Sequence, residues 1–215
     1  MKRIWASKMH KLYKRHILGG IIIWLVCNLL LACHDMRFES AEELSAFVYN
    51  ENNHYTQHKI INGVRFDLTY KPTDLMVSQQ IGDTGSDTRI GQLRKQYGNH
   101  LYFTLKMSKN DQELLTSAVS NRVEFGEMVH QLSFEMQEKV QLTTSSKEAI
   151  AMTDFIYPRM YGLSKATSIL FVFPRDSRVL EADYLNFTIA DLGLMTGEVR
   201  FKLETAKLMK EPRLF

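Results

Sequence analysis

A few side chains in this sequence have types and spacings that chemistry could use. His54 and His58 stand four apart in His54-Tyr55-Thr56-Gln57-His58, and two imidazoles at that spacing on one helix could share a zinc ion. No carboxylate or cysteine falls at a diagnostic distance from them, and Asn50 to Asn53 reads as a turn, so the expectation is solvated histidines with a metal as the alternative. Tyr157, Tyr161 and Tyr184 lie near polar or turn residues, where exposed rings could stack on a sugar; the same rings also suit a β-rich core through their large buried area. Glu124 and Glu127 are at helical spacing, the pattern of a solvated face. There is no Gly-rich phosphate loop, no G-x-S-x-G, no H-E-x-x-H and no paired cysteine set. No cofactor is expected.

Asp83-Thr84-Gly85-Ser86 resembles the D-T-G-S tetrad of aspartic proteases, in which one aspartate shares a proton with a second and activates water. The resemblance implies a hydrolase with Asp83 as its catalytic carboxylate. It stops at the tetrad: Gln79-Gln80-Ile81-Gly82 precedes it where the family has an apolar strand, and no second copy follows, so a dimer would have to supply the partner. Gly, Asp, Thr and Ser together are also the composition of a surface loop, and that is the expected reading.

These residues are carried behind an unusual N-terminus. Residues 1–16 hold six Lys and Arg and no acid, and Ile17 to Ala32 is apolar apart from Asn28 and two glycines, which is the secretory pattern. As a helix this run would rise roughly 24 Å, short of the ~30 Å core that a permanent span crosses. Leu30-Leu31-Ala32-Cys33 at its end resembles the lipobox of bacterial lipoproteins. The resemblance implies cleavage before Cys33 and a diacylglyceryl group on its sulfur. It divides the chain into a signal peptide at 1–32, a lipidated tether at 33–39 and a single domain at 40–215. His34 rather than aspartate follows the cysteine; in that family this goes with the outer membrane over the inner one.

Removing the leader changes the electrostatics. The leader holds six of the 27 Lys and Arg and none of the 24 Asp and Glu, so residues 33–215 carry 21 cations against 24 acids, a net of −3. A mixed, mildly acidic surface offers no clustered cations for a phosphate backbone, and nucleic acid is not an expected partner. With Cys27 in the leader and Cys33 taken by lipid, nothing remains for a disulfide or a thiolate metal site.

The elements that must position these residues read mainly as strands. Ser40-Ala41-Glu42-Glu43 is a capping box for a short helix carrying Leu44, Phe47 and Val48. Period-two alternation then runs through Val64–Tyr70, Leu101–Met107, Leu132–Met136, Leu185–Ile189 and Val199–Leu203. Ile169 to Phe173 is apolar at every position, a strand covered on both faces. Asn62-Gly63 predicts a tight turn, Asn110 to Val119 a helix, and Thr88 to Tyr97 a second helix. The tail from Lys207 to Arg213 reads as a solvated end. The expected fold is mainly β, an antiparallel two-sheet sandwich with one or two short helices, with α+β as the alternative.

The expected function is that of a non-catalytic binding or structural component of a bacterial envelope, held to its membrane through lipid on Cys33. Its partner would be an envelope protein; the alternatives are a glycan-binding surface and, behind it, a hydrolase using Asp83.

Overall fold

Two antiparallel sheets face each other across a core of phenylalanines. The computed structural model describes residues 36–82 and 86–214. From the N-terminal side its elements are β1 (Arg37–Phe38), α1 (Ala41–Tyr49), a 3-10 turn (Glu51–Asn53), β2 (Thr56–Ile61), β3 (Val64–Lys71), α2 (Thr73–Ile81) and α3 (Asp87–Tyr97). The middle holds β4 (His100–Lys109), β5 (Gln112–Glu113), α4 (Leu114–Ser117), α5 (Arg122–His130), a π-helical turn (Gln131–Glu135), α6 (Met136–Lys139) and β6 (Val140–Thr144). There follow β7 (Ala149–Ile150), β8 (Asp154–Ile156), β9 (Thr167–Pro174), α7 (Ser177–Glu181), β10 (Tyr184–Ile189), β11 (Val199–Glu204), α8 (Thr205–Met209) and β12 (Arg213–Leu214).

The larger sheet runs β2-β3-β4-β9-β8 with β5 alongside β4, and the smaller runs β11-β10-β6-β7. The alternating side chains meet between them. Phe103 of β4 and Phe171 and Phe173 of β9 all pack on Phe187 of β10, with ring centroids 5.5, 5.6 and 6.2 Å away. The outer face of the smaller sheet is wet, as Arg200, Lys202 and Glu204 show by their exposure. The outer face of the larger sheet is covered where Tyr102, Leu170 and Val172 pack against Met76 of α2 and Tyr97 of α3. That cover is why Ile169 to Phe173 of β9 is apolar at every position. The result is mainly β with several antiparallel sheets and short helices, a β-rich α+β arrangement that carries more helix than the sequence suggests.

Local expectations are met where backbone chemistry dictates them. The Ser40 side chain caps α1 by accepting from Glu43 N at 3.1 Å, and the Glu43 carboxylate reaches back to Glu39 N. Asn62 and Gly63 both take positive φ, +50° and +73°, and join β2 to β3 with Ile61 paired to Val64.

Two stretches differ. Leu132 to Met136, expected as a strand, lies in the π-helical turn and the start of α6. Its buried residues continue a four-residue spacing from Met128 through Leu132 to Met136, while Phe134 points outward at 65% exposure. Asn110 to Val119, expected as one helix, begins instead as a hairpin turn. Asn110 and Asp111 hold φ of +53° and +55°, which those side chains tolerate, and the helix is confined to α4. The tail is not a solvated end: β12 pairs in parallel with β1, Arg37 opposite Arg213 and Phe38 opposite Leu214, and Pro212 is buried. Among the described residues no helix is long and apolar enough to cross a membrane.

Candidate functional site

Two partly buried ion pairs stand together where the ends of the described chain meet. Strand β3 ends at Tyr70 and Lys71, and Pro72 then opens α2 without a side chain that could cap it. Glu211, which lies between α8 and β12, supplies the missing acceptor through its Oε2 to Thr73 N at 3.3 Å. Its other oxygen receives the Tyr70 hydroxyl and Arg175 Nη2, and Arg175 Nη2 also donates to the Tyr70 oxygen at 2.6 Å. Arg175 is brought there because it follows β9 directly and its backbone N–H donates to Asn99 O.

A second ion pair stands beside the first. Asp74, in the first turn of α2, is 5% exposed at its side chain. Arg94 of α3 donates to it through Nε and Nη2, each at 2.8 Å. The pair also holds the tail: Leu214 N donates to Asp74 Oδ2 at 2.8 Å, and Leu214 O accepts from Arg94 Nη2 at 3.0 Å. The cleft between these groups has a volume of about 500 Å³ and is lined by Arg37, Arg94, Arg175 and Arg213 together with Asp74 and Glu211.

Electrostatics follow from this packing. Burial raises Tyr70 well above the ordinary phenol range, and the Glu211 carboxylate adds to the rise. Burial and the same carboxylate push Tyr55, whose hydroxyl donates to Lys210 O, up to about 12. Burial opposes the charge on Arg175, but Tyr70 and Glu211 outweigh it and leave the guanidinium pKa above its usual value. Arg175 is therefore a fixed cation and Tyr70 and Tyr55 are fixed neutral donors.

Two other depressions are satisfied by their own side chains. One, of about 620 Å³, lies beside α5 and the π-helical turn. Its Glu124 accepts from Ser120 N and its His130 pairs with Glu135. Burial acts to raise the pKa of its Asp191, but backbone N–H groups of Leu194, Gly197 and Thr196 outweigh burial and hold it below the usual carboxylate range.

The other, of about 440 Å³, contains both His54 and His58. They are not on a helix. The first helix stops at Tyr49, His54 is a left-handed residue at φ +61°, and His58 lies on β2 with its Nδ1 2.9 Å from Glu51 Oε2. Among the described residues no group of three or more His, Cys, Asp and Glu could hold a metal ion.

The tyrosines are divided. Tyr157 is half-buried, packs against the core and feels Glu113 and Tyr161. Tyr161 is 54% exposed. Tyr184 belongs to β10 of the smaller sheet, with Lys202 Nζ 4.0 Å over its ring. Cys33 and Asp83 lie outside the described residues. The sequence reading missed Tyr70, Asp74, Arg94, Arg175 and Glu211, and no local spacing signals them, since they come from five separate elements or connections.

No protein-family description matches the chain, and no curated protein does. Among solved structures, a novel protein of unknown function from Burkholderia pseudomallei aligns over 80% of this chain and 88% of its own, at 12% identity and a TM-score of 0.41.

Proposed function

We propose that this protein is a lipid-anchored component of a bacterial cell envelope that binds or scaffolds rather than catalyses, held to its membrane by acylated Cys33. The supporting observation is the Leu30-Leu31-Ala32-Cys33 motif at the end of an apolar run, followed only four residues later by a strand of the folded unit. From Cys33 to Arg37 the chain reaches at most about 14 Å even when extended. An anchor there would keep the domain close to the headgroups. Two or three acyl chains at ~0.8 kcal/mol per buried CH₂ would hold it firmly, where one would not.

The outer membrane is the proposed address, and an envelope protein the proposed partner. The glycan reading needs a shared exposed aromatic face, and Tyr184 stands on the opposite sheet from the edge that carries Tyr157.

The test is mass spectrometry of the native protein extracted from its own membranes. The expected N-terminal peptide begins at Cys33 and carries acyl mass, with an envelope protein recovered in constant ratio. A mature protein that retains residues 1–32 overturns the proposal.

A further inference from the structure

We infer that the turn between β8 and β9 is a membrane contact that seats its apolar tip in the headgroup layer of an anionic bilayer. In that turn Met160, Tyr161 and Leu163 are 41%, 54% and 85% exposed, although each would gain from burial. Phe134 of the π-helical turn, 65% exposed, extends the patch, with the Arg159 guanidinium 6.0 Å from its ring centroid.

The backbone holds this tip outward against its own preference. Tyr161 and Gly162 take φ of +46° and +87°, and Leu163 N donates to Met160 O at 3.1 Å, the φ pattern of a type I′ turn. A tyrosine in left-handed backbone is unfavourable. It is kept there because Gly162 N–H donates to the carboxylate of Glu113, a β5 residue only 3% exposed. A buried acid thus fixes an apolar tip in water.

Charge identifies the occupant. No acid lies between Asp154 and Asp176, and Arg159 and Lys165 flank the tip. Both are exposed, and neither makes an ion pair with any described residue. Glu113 beneath the turn and Glu135 beside Phe134 are already engaged, the first by Gly162 and the second by His130 at 3.1 Å. Apolar side chains with a tyrosine, flanked by cations, suit the boundary between acyl chains and anionic headgroups. Four partly exposed side chains fall short of the ~800 Å² per partner of a stable protein interface, whereas a bilayer needs no matching shape.

So small a wedge does not hold a protein on a bilayer unaided, and the contact rests on the lipid-anchor reading for its second attachment. The ladder of β1 and β12 shares its cleft with Arg175, just past the end of β9, whereas the turn precedes the start of that strand. The 8 residues of β9 set the two apart by roughly 23 Å. A domain held at both points lies along the bilayer instead of standing on it.

The experiment places one indole in the turn. The full chain, with Trp5→Phe and Trp24→Phe removing its two tryptophans and Tyr161→Trp adding one, is reconstituted in vesicles of phosphatidylglycerol and phosphatidylcholine with brominated acyl chains. Blue-shifted, quenched emission is expected. Leu163→Trp should report the same, and Arg200→Trp, on the wet face of the smaller sheet, should stay unquenched. Arg159→Gln with Lys165→Gln should lower the inserted-to-free ratio by about fivefold for each cation lost, and phosphatidylcholine alone should lower it likewise. Should a variant melt early, the other indole position and the lipid composition decide.

Unquenched emission from the turn in vesicle-bound protein, or equal quenching in Arg200→Trp, overturns the contact. A blue shift without quenching means that protein covers the tip, and overturns it as well. Acyl mass on Cys33 is read from the same vesicles: acyl mass with an unquenched turn refutes the turn and not the anchor, and a quenched turn without acyl mass refutes the anchor and not the turn.

Discussion

Replacing Glu211 by alanine should be among the costliest single changes away from the aromatic core. Its carboxylate serves three donors at once: the Tyr70 hydroxyl, Arg175 Nη2 and Thr73 N. Without it the fully buried Tyr70 hydroxyl loses its acceptor, and Arg175, 16% exposed at its side chain, keeps only the Tyr70 oxygen. The Arg175 Nε is already buried with no acceptor, so the guanidinium has little to fall back on. Thr73 N becomes an orphan at a helix start that Pro72 cannot cap.

Breaking a buried pair from one side costs about 3–5 kcal/mol. Here the pair retains 16% and 12% side-chain exposure, so some water can return and the lower end, about 3 kcal/mol, is expected. Against a typical total of about 5–15 kcal/mol that is a large fraction. Glu211→Gln, which keeps the shape but not the charge, should cost about half as much.

The assay is equilibrium urea unfolding followed by tyrosine circular dichroism, comparing midpoints at constant slope. Double substitution of Arg175→Met with Glu211→Leu should recover much of the loss, because it removes both charges rather than stranding one. A Glu211→Ala midpoint within about 0.5 kcal/mol of wild type, the range of ordinary surface changes, would refute the network as drawn.

Two further outcomes follow from the same packing. Tyr55 ionises near 10 when unfolded and near 12 when folded, and Tyr70 is raised further, so the folded state holds protons that the unfolded state has released. Stability should therefore be intact below pH 10 and fall as pH rises towards 12, and phenolate absorbance in Glu211→Gln should titrate earlier than in wild type. Phe187→Ala should cost about 3–5 kcal/mol in thermal or urea unfolding, since it empties the point where rings from both sheets converge; a loss under about 1 kcal/mol would mean the sheets do not meet there.

The parts of this fold that were legible in the sequence are those in which one residue's environment repeats at a fixed interval. Strands β10 and β11 alternate because one face meets the core and the other meets water, and β3 and β4 alternate where Arg65, Asp67 and Lys106 stand on the outer face. The apolar run from Ile169 to Phe173 reported that both faces of β9 are covered, and not by what. Leu132, Phe134 and Met136 misled because Leu132 and Met136 satisfy both periods. Met128, four residues earlier, belongs to the helical one, and Asn121 caps the helix that carries it by accepting from Val123 N and Glu124 N. Asn110 and Asp111 suit a helix start, but they also accept left-handed backbone, and the pairing of β5 with β4 decides for the turn.

The cleft was illegible for a different reason: its residues are related by the register of strands and not by spacing along the chain. Pairing sets Lys71 opposite Tyr102 and His100 opposite Pro174, which brings the end of β3, the start of β4 and the end of β9 to one edge of the sandwich. Tyr70 and Arg175 are neighbours only because of that register. Glu211 then reaches them because α8 turns the chain back after β11, and the two-residue ladder of β1 and β12 completes the edge.

So short a ladder is marginal alone, and its hold comes from Asp74 and Arg94 gripping Leu214 through both of its backbone polar groups. Asp74→Asn should therefore speed hydrogen exchange at the Leu214 amide while strand β4 in the core stays protected, because it weakens the acceptor of the Leu214 N–H; unchanged exchange at Leu214 would mean that the ladder holds without that grip.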